Sequence, residues 1–188
     1  MVQNQIGVSS MFFVGREHEI SLMRHHVEGK WKWEWLHIYG QGGIGKTSLL
    51  RRFLLQNGDF HIFYIDGNKG IRVKEDVLVQ LNDQWELEGI NPLGLHDFED
   101  IIQNRIELLK EERNVLLIID GFEKMRSVEE WLSHWLGKLQ SNIKIITAGR
   151  YRLTGTWLRS GWTNVTYAYH LPPLGYSEVN LYADKKGI

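Results

Sequence analysis

The chain has 188 residues, of which 43% are hydrophobic and 24% are charged, as is typical of a globular protein with one sizeable core. Its 22 Lys and Arg residues nearly balance 23 Asp and Glu residues, so the overall charge does not indicate a nucleic-acid partner. The absence of cysteine excludes a disulfide scaffold, and no apolar run is long enough to cross a membrane. We therefore expect a cytoplasmic protein without a membrane partner.

The first predicted helix follows the pair Gly15-Arg16. Its apolar residues Ile20, Met23 and Val27 recur at intervals of three and four, which is the spacing of one helical face. Three histidines on this helix lack the companions that a metal site needs, and we expect them to face solvent: His18, His25 and His26.

Residues 40–47 fit the pattern G-x-x-x-x-G-K-[ST] of a phosphate-binding loop, between a predicted strand at 35–39 and a predicted helix. Glycines permit left-handed backbone angles that bring N–H groups close to phosphate oxygens, and the helix adds the positive end of its dipole. The Lys46 side chain is long enough to contact the β- and γ-phosphates, and we expect it to act in catalysis. The Thr47 hydroxyl is expected to be a ligand for Mg²⁺. The predicted nucleotide-binding residues are Gly40, Gln41, Gly42, Gly43, Ile44, Gly45, Lys46, Thr47 and Ser48.

Strands and helices alternate along the rest of the chain. Apolar segments predict further strands at 60–66, 115–119, 143–147 and 165–169, and helices are predicted at 74–88, at 97–111 and from Ser127 onward. Ser127 and Glu130 form a capping-box pattern at the start of that last helix, whereas 152–164 has the composition of a loop. The alternation favours an α/β fold: the three-layer α/β/α sandwich of P-loop NTPases, with a mainly parallel central sheet.

Three residues near predicted strand ends are candidates for chemistry. Asp120 ends an apolar strand, where a carboxylate can hold the Mg²⁺ of the loop; the alternative is a local turn residue. Glu123 is the candidate to orient and deprotonate an attacking water, and the alternative is a solvated carboxylate at a helix start. Arg150 is placed to contact the γ-phosphate and stabilise the charge that develops there, unless it is a surface arginine paired with a carboxylate.

Four motifs around the loop resemble the nucleotide-binding core of STAND-class P-loop ATPases, the signalling relatives of AAA+ proteins that include NB-ARC and NACHT domains. These motifs are residues 13–17, 120–123, 147–150 and 171–174. The resemblance implies that Val14, Gly15 and Arg16 lie on the adenine side of the nucleotide. It also implies a nucleotide-binding domain at 1–170, followed by the truncated start of a helical subdomain at 171–188.

The residues and the resemblance together predict an ATP/ADP-binding switch domain with slow, Mg²⁺-dependent ATP hydrolysis, within a larger signalling or regulatory protein. Its expected partners are adenine nucleotide, downstream domains of the same polypeptide and, depending on the nucleotide, further copies of itself. Three alternatives stay open: a small-molecule kinase, a nucleotide-binding interaction module without turnover, and a DNA-handling AAA+ ATPase. The kinase is disfavoured because Glu123 is placed to activate water.

Overall fold

The computed structural model describes residues 13–56, 60–84, 99–100, 102–104, 106–107, 114–139, 143–159 and 161–186. These residues form one five-stranded sheet made of β1 (Trp35–Tyr39), β2 (His61–Asp66), β3 (Val115–Asp120), β4 (Ile143–Gly149) and β5 (Thr166–His170). The order across the sheet is β2-β3-β4-β1-β5, and all neighbouring strands are parallel. Every strand begins and ends within two residues of its predicted bounds, and the predicted α/β fold is confirmed.

Six α-helices have defined bounds among the described residues: α1 (Glu17–Val27), α2 (Lys46–Leu54), α3 (Lys74–Gln84), α4 (Glu129–Lys138), α5 (Thr156–Arg159) and α6 (Tyr176–Lys186). Shorter 3-10 turns lie at Gly67–Lys69, Phe122–Val128 and Trp162–Asn164. The described residues between 99 and 107 are also helical and fall within the helix predicted at 97–111. The other residues of that predicted helix, and residues 85–88 of the one before it, lie outside the described part of the chain. None of the described helices is long and apolar enough to span a membrane.

The sheet has a separate apolar core on each face, because successive side chains of a strand point to opposite faces. Leu36, Leu116 and Ile146 lie on the face covered by α1 and α2. Alternate residues of the same strands, such as Trp35 and Leu117, lie on the face covered by α3 and α4. All six residues of β3 are buried, which explains the unbroken apolar sequence of this central strand.

Three local predictions are wrong. Ser127 does not cap a helix: α4 begins at Glu129 without a side-chain cap, and the Ser127 hydroxyl donates to the carbonyl of Ile71. The predicted loop at 152–164 contains α5 and a 3-10 turn. His26 is completely buried, and its Nε2 donates to the carbonyl of Ile145 at 3.0 Å, whereas the other two histidines of α1 are exposed as expected.

The strand order brings the predicted site residues to one edge of the sheet. Because β4 lies between β1 and β3, the carboxyl ends of these three strands are adjacent. In the register of the sheet, Tyr39 pairs with Gly149, and Ala148 pairs with Asp120. The phosphate-loop sequence, the acidic segment and the segment containing Arg150 therefore leave the sheet side by side, which is where open α/β sheets bind ligands.

Candidate nucleotide-binding site

The loop between β1 and α2 has the backbone geometry of an anion site. Gly43 (φ 80°) and Gly45 (φ 99°) adopt left-handed angles that residues with a Cβ rarely take. Helix α2 begins at Lys46, so its first amide groups lie at the loop without partners from the helix itself. Strand, glycine loop and helix N-terminus thus follow one another in the arrangement that phosphate binding requires.

The Lys46 ammonium group lies against its own loop and donates to the carbonyls of Gly40 at 2.7 Å and Gln41 at 2.8 Å. Partial burial lowers the pKa of Lys46 from its ordinary value; the carboxylates of Glu123 and Asp120 oppose this shift, and Arg150 adds to it. Lys46 therefore interacts electrostatically with three other residues that the sequence selected for phosphate and metal chemistry.

Asp120 is only 3% exposed and accepts three hydrogen bonds. The Thr47 hydroxyl donates to Oδ2 at 2.7 Å, and the Tyr64 hydroxyl donates to the same oxygen at 3.0 Å. The backbone N–H of Gly121 donates to Oδ1 at 2.9 Å. Burial, together with the adjacent Asp120 carboxylate, raises the pKa of Tyr64, so this phenol stays protonated and remains a donor. The carboxylate is thereby held towards the first turn of α2.

Glu123 and Arg150 form an ion pair at the carboxyl ends of β3 and β4. Nε of Arg150 lies 3.1 Å from Oε1 of Glu123, and the backbone N–H of Arg150 donates to Oε2, also at 3.1 Å. Glu123 is 15% exposed and is not a freely solvated carboxylate, while Arg150 is 54% exposed. The arginine–carboxylate pairing considered as an alternative for Arg150 is present, and the partner is Glu123, which is also predicted to be catalytic. A Cβ added to Gly42 would lie 3.5 Å from Cζ of Arg150, so the guanidinium group covers the phosphate loop.

The N-terminal motif also reaches the loop. Val14 is buried, and Arg16 has a left-handed backbone (φ 68°), which is unusual for a residue with a side chain. The buried guanidinium group of Arg16 binds Glu19 at 3.1 Å and donates to the carbonyl of Ile44 at 3.5 Å. Arg16 thus joins the start of α1 to the phosphate loop through its side chain.

The segment after β5 contacts both the motif and the loop. The backbone N–H of Leu171 donates to the carbonyl of Tyr39 at 2.8 Å, and a Cβ on Gly40 would lie 3.0 Å from the Leu171 carbonyl oxygen. In α6, the carboxylate of Glu178 accepts from the backbone N–H of Arg16 at 3.3 Å and from that of Gly175 at 2.7 Å. The start of α6 is therefore fixed next to the phosphate loop.

Sequence reasoning missed Tyr64 and His37. The Trp35 indole N–H donates to Oγ1 of Thr147 at 2.8 Å. The Thr147 hydroxyl donates to Nδ1 of His37 at 2.7 Å, because the proton of His37 lies on Nε2. Nε2 of His37 then donates to the carbonyl of Tyr151 at 2.9 Å, and burial lowers the pKa of His37 to about 4. This chain of hydrogen bonds holds the backbone on either side of Arg150. The signal that could have found both residues is a polar side chain within an otherwise apolar strand.

A family model described as an AAA domain matches residues 35–156, from β1 to the start of α5. The chain belongs to the AAA domain family. The match spans the phosphate loop, Asp120, Glu123 and Arg150, and it supports a P-loop AAA+ ATPase without singling out the STAND class that the motifs suggested. No curated protein is significantly similar to this AAA domain.

Several solved structures share the fold of the AAA domain. They include Cdc6p from Pyrobaculum aerophilum (TM-score 0.62, 15% identity, covering 96% of this chain and 53% of that one). Drosophila ORC bound to DNA gives a TM-score of 0.59 at 18% identity over 99% of this chain and 50% of that one. Aeropyrum pernix ORC1 in complex with DNA gives a TM-score of 0.67 at 14% identity, over 93% of this chain and 50% of that one. The chain thus spans about half the length of each, and at these identities the similarity shows the fold alone.

Proposed function

We propose that this AAA domain is an ATP/ADP-binding switch with slow, Mg²⁺-dependent ATP hydrolysis, within a larger signalling or regulatory protein. The observation that carries the proposal is the convergence of three strand ends on one loop. Thr47 lies 2.7 Å from Asp120, Glu123 is paired with Arg150, and the charges of Asp120, Glu123 and Arg150 all act on Lys46. Membership of the AAA family supports the ATPase part of the proposal.

The side chains fit a magnesium nucleotide. The Thr47 hydroxyl and the Asp120 carboxylate are the hard oxygen ligands that Mg²⁺ prefers. Lys46 is held by two neutral carbonyls, which the charged oxygens of a phosphate can replace as stronger acceptors. When bound, Mg²⁺ would neutralise charge on the phosphates of ATP. Val14, Gly15 and Arg16 are proposed to lie on the adenine side, since Arg16 contacts the phosphate loop.

The ion pair at Glu123 suits slow turnover. Arg150 contacts both carboxylate oxygens of Glu123, and its positive charge makes this carboxylate a weaker base towards water while the pair is closed. An Arg150 side chain that moves to a γ-phosphate would release Oε1 of Glu123 and neutralise charge on the phosphate in the same step, while the backbone N–H of Arg150 keeps Oε2 in place. The switch would act through residues 171–188, proposed as the start of a helical subdomain, on downstream domains and on self-association.

The test of the proposal compares nucleotide binding and phosphate release in two variants. Lys46→Ala should weaken ATP binding by roughly tenfold or more, because a charge-assisted contact to phosphate is lost. Lys69→Ala, which removes an exposed lysine after β2, is the control and should bind like the wild type. Equal affinity of the wild type and Lys46→Ala would reject the loop as the binding site.

Glu123→Gln should keep nucleotide affinity but slow phosphate release by about 10²-fold or more, the usual contribution of a general base. Glu130→Gln changes an exposed carboxylate of α4 and should leave turnover intact. Unchanged turnover in Glu123→Gln would move the base elsewhere. A wild type that binds ADP but releases no phosphate would instead favour the module without turnover.

A DNA-handling AAA+ ATPase is the second candidate, because two of the similar structures are of proteins bound to DNA. Exposed basic residues near Arg150 offer phosphate contacts: Lys124, Arg126 and Arg152. Fluorescence anisotropy with labelled duplex DNA at two salt concentrations tests this candidate. Binding that weakens with salt and is lost in Arg126→Ala/Arg152→Ala would support it, because phosphate contacts release counterions. Absence of binding at low salt would reject it.

A further inference from the structure

Tyr64 lies on β2, the strand next to β3, and is paired in register with Ile118, two residues before Asp120. Its backbone is fixed on both sides by one side chain: Gln84 accepts from the Tyr64 N–H at 2.7 Å and donates to the Tyr64 carbonyl at 2.7 Å. With its backbone held in this way, the phenol hydroxyl lies 3.0 Å from Oδ2 of Asp120. The orientation of Tyr64 is therefore set by α3 and directed at the acidic end of β3.

We infer that Tyr64 is a positioning residue for the metal site, which orients the Asp120 carboxylate towards Thr47 and Mg²⁺. The inference rests on the proposed function, since it takes Asp120 and Thr47 as the residues that hold the ion. An ionised carboxylate offers about four acceptor positions. Hydrogen bonds from Thr47, Tyr64 and the Gly121 N–H occupy three of them. One position is left for the ion or for one of its waters.

The hydroxyl is the part of Tyr64 that this role needs. Tyr64→Phe removes only this hydroxyl and keeps the ring, which is partly buried against the apolar core under α1 and α2. Removing the hydroxyl would leave Asp120 with the Thr47 and Gly121 contacts, and the carboxylate would be freer to rotate. Outer-shell hydrogen bonds of this kind orient metal ligands, and their loss costs about 10–100-fold in metal affinity.

The experiment measures the affinity of a fluorescent ADP analogue for the whole chain in Mg²⁺ and in EDTA. In wild type, Mg²⁺ should strengthen binding. In Tyr64→Phe, the affinity in EDTA should equal that of the wild type, while the strengthening by Mg²⁺ falls about tenfold and the half-saturating Mg²⁺ concentration rises to match. Tyr169→Phe is the control, because it also removes a hydroxyl that donates to a carboxylate, that of Glu19. It should leave the difference between Mg²⁺ and EDTA unchanged.

The outcomes separate this inference from the proposed function. Full Mg²⁺ dependence in Tyr64→Phe, with the wild type behaving as expected, overturns the positioning role and leaves the proposed function standing. An equal loss of affinity in Mg²⁺ and in EDTA also overturns it, because general damage to the site would then be the explanation. A wild type that does not bind the nucleotide, or binds it independently of Mg²⁺, overturns the proposed function and the inference together.

Discussion

His26 and His37 are completely buried, and burial lowers the pKa of each to about 4 from the 6.5 of a solvated histidine. The unfolded chain therefore takes up protons below pH 6.5, while the folded chain does so only near pH 4. Stability is complete above pH 6.5 and falls as the pH drops towards 4. At pH 5 each histidine should cost about 2 kcal/mol of the free energy of unfolding.

Urea unfolding at pH 7 and at pH 5 measures this loss. His37→Gln should remove about half of the pH dependence, whatever its stability at pH 7, because the buried group that titrates is gone. His25→Gln changes an exposed residue of the same helix as His26 and should retain the full dependence. Equal stability of the wild type at the two pH values would contradict the expected protonation behaviour.

The residues that the sequence could identify are those tied to a local pattern. Lys46 and Thr47 follow from the spacing of the loop, and Asp120 follows from the end of an apolar strand, since carboxyl ends of parallel strands share one edge. For Tyr64 and His37 the sequence shows only a polar side chain within an apolar strand, which assigns neither residue a role. Tyr64 acts on a residue 56 positions away and His37 on one 110 positions away, so their contacts depend on which strands are neighbours.

At the scale of elements, α6 is attached to the rest of the domain through Glu178 and Gly15. Gly15 and Gly29 have nearly identical left-handed angles, φ 67° and φ 68°. A Cβ on Gly15 would lie 2.0 Å from Oε1 of Glu178, whereas one on Gly29 would meet nothing within 4 Å. Both alanine variants should lose about 1 kcal/mol of stability through backbone strain, but only Gly15→Ala should displace Glu178 from the backbone N–H groups that it binds.

Hydrogen exchange of the α6 amides tests this difference. Exchange in the first turn of α6 should accelerate in Gly15→Ala and stay at the wild-type rate in Gly29→Ala, because a helix end that loses its cap frays first. If the two variants exchange alike, Glu178 does not hold α6 in place.

Helices and strands were predicted correctly where the periodicity of apolar residues determined them. Predictions were wrong where side-chain packing competed with a local sequence signal. The capping-box pattern at Ser127 and Glu130 predicted a helix start, yet Phe122–Val128 forms a 3-10 turn. Phe122, Met125 and Val128 are all buried at intervals of three, and a 3-10 helix with three residues per turn places them on one face. Burial of three apolar side chains thus decided the local geometry over one capping residue.

On the scale of the whole molecule, two cores stabilise the sheet and the site occupies one of its edges, so nucleotide should add stability without changing the fold. At a concentration 100 times Kd, a ligand adds about 2.7 kcal/mol, which raises the Tm of a chain of this size by roughly 5–10 °C. Differential scanning fluorimetry with Mg²⁺ and ATP measures the shift. A tenfold loss of affinity leaves only about 1.4 kcal/mol, so the shift should fall to about half or less in Lys46→Ala and be retained in Lys69→Ala. An equal shift in all three would mean that the nucleotide stabilises the chain from another site.

The attachment of Leu171 beside Gly40 has a mechanical consequence. The polypeptide leaves β5, meets the first glycine of the loop at Leu171, and is tied again at Glu178 to the turn before α1. Tension applied to α6 is therefore borne first at two anchors, the phosphate loop and the turn before α1, and Leu171 also belongs to the apolar core under α1 and α2. A displacement of α6 is therefore expected to pull directly on the backbone at Gly40, the first glycine of the phosphate loop.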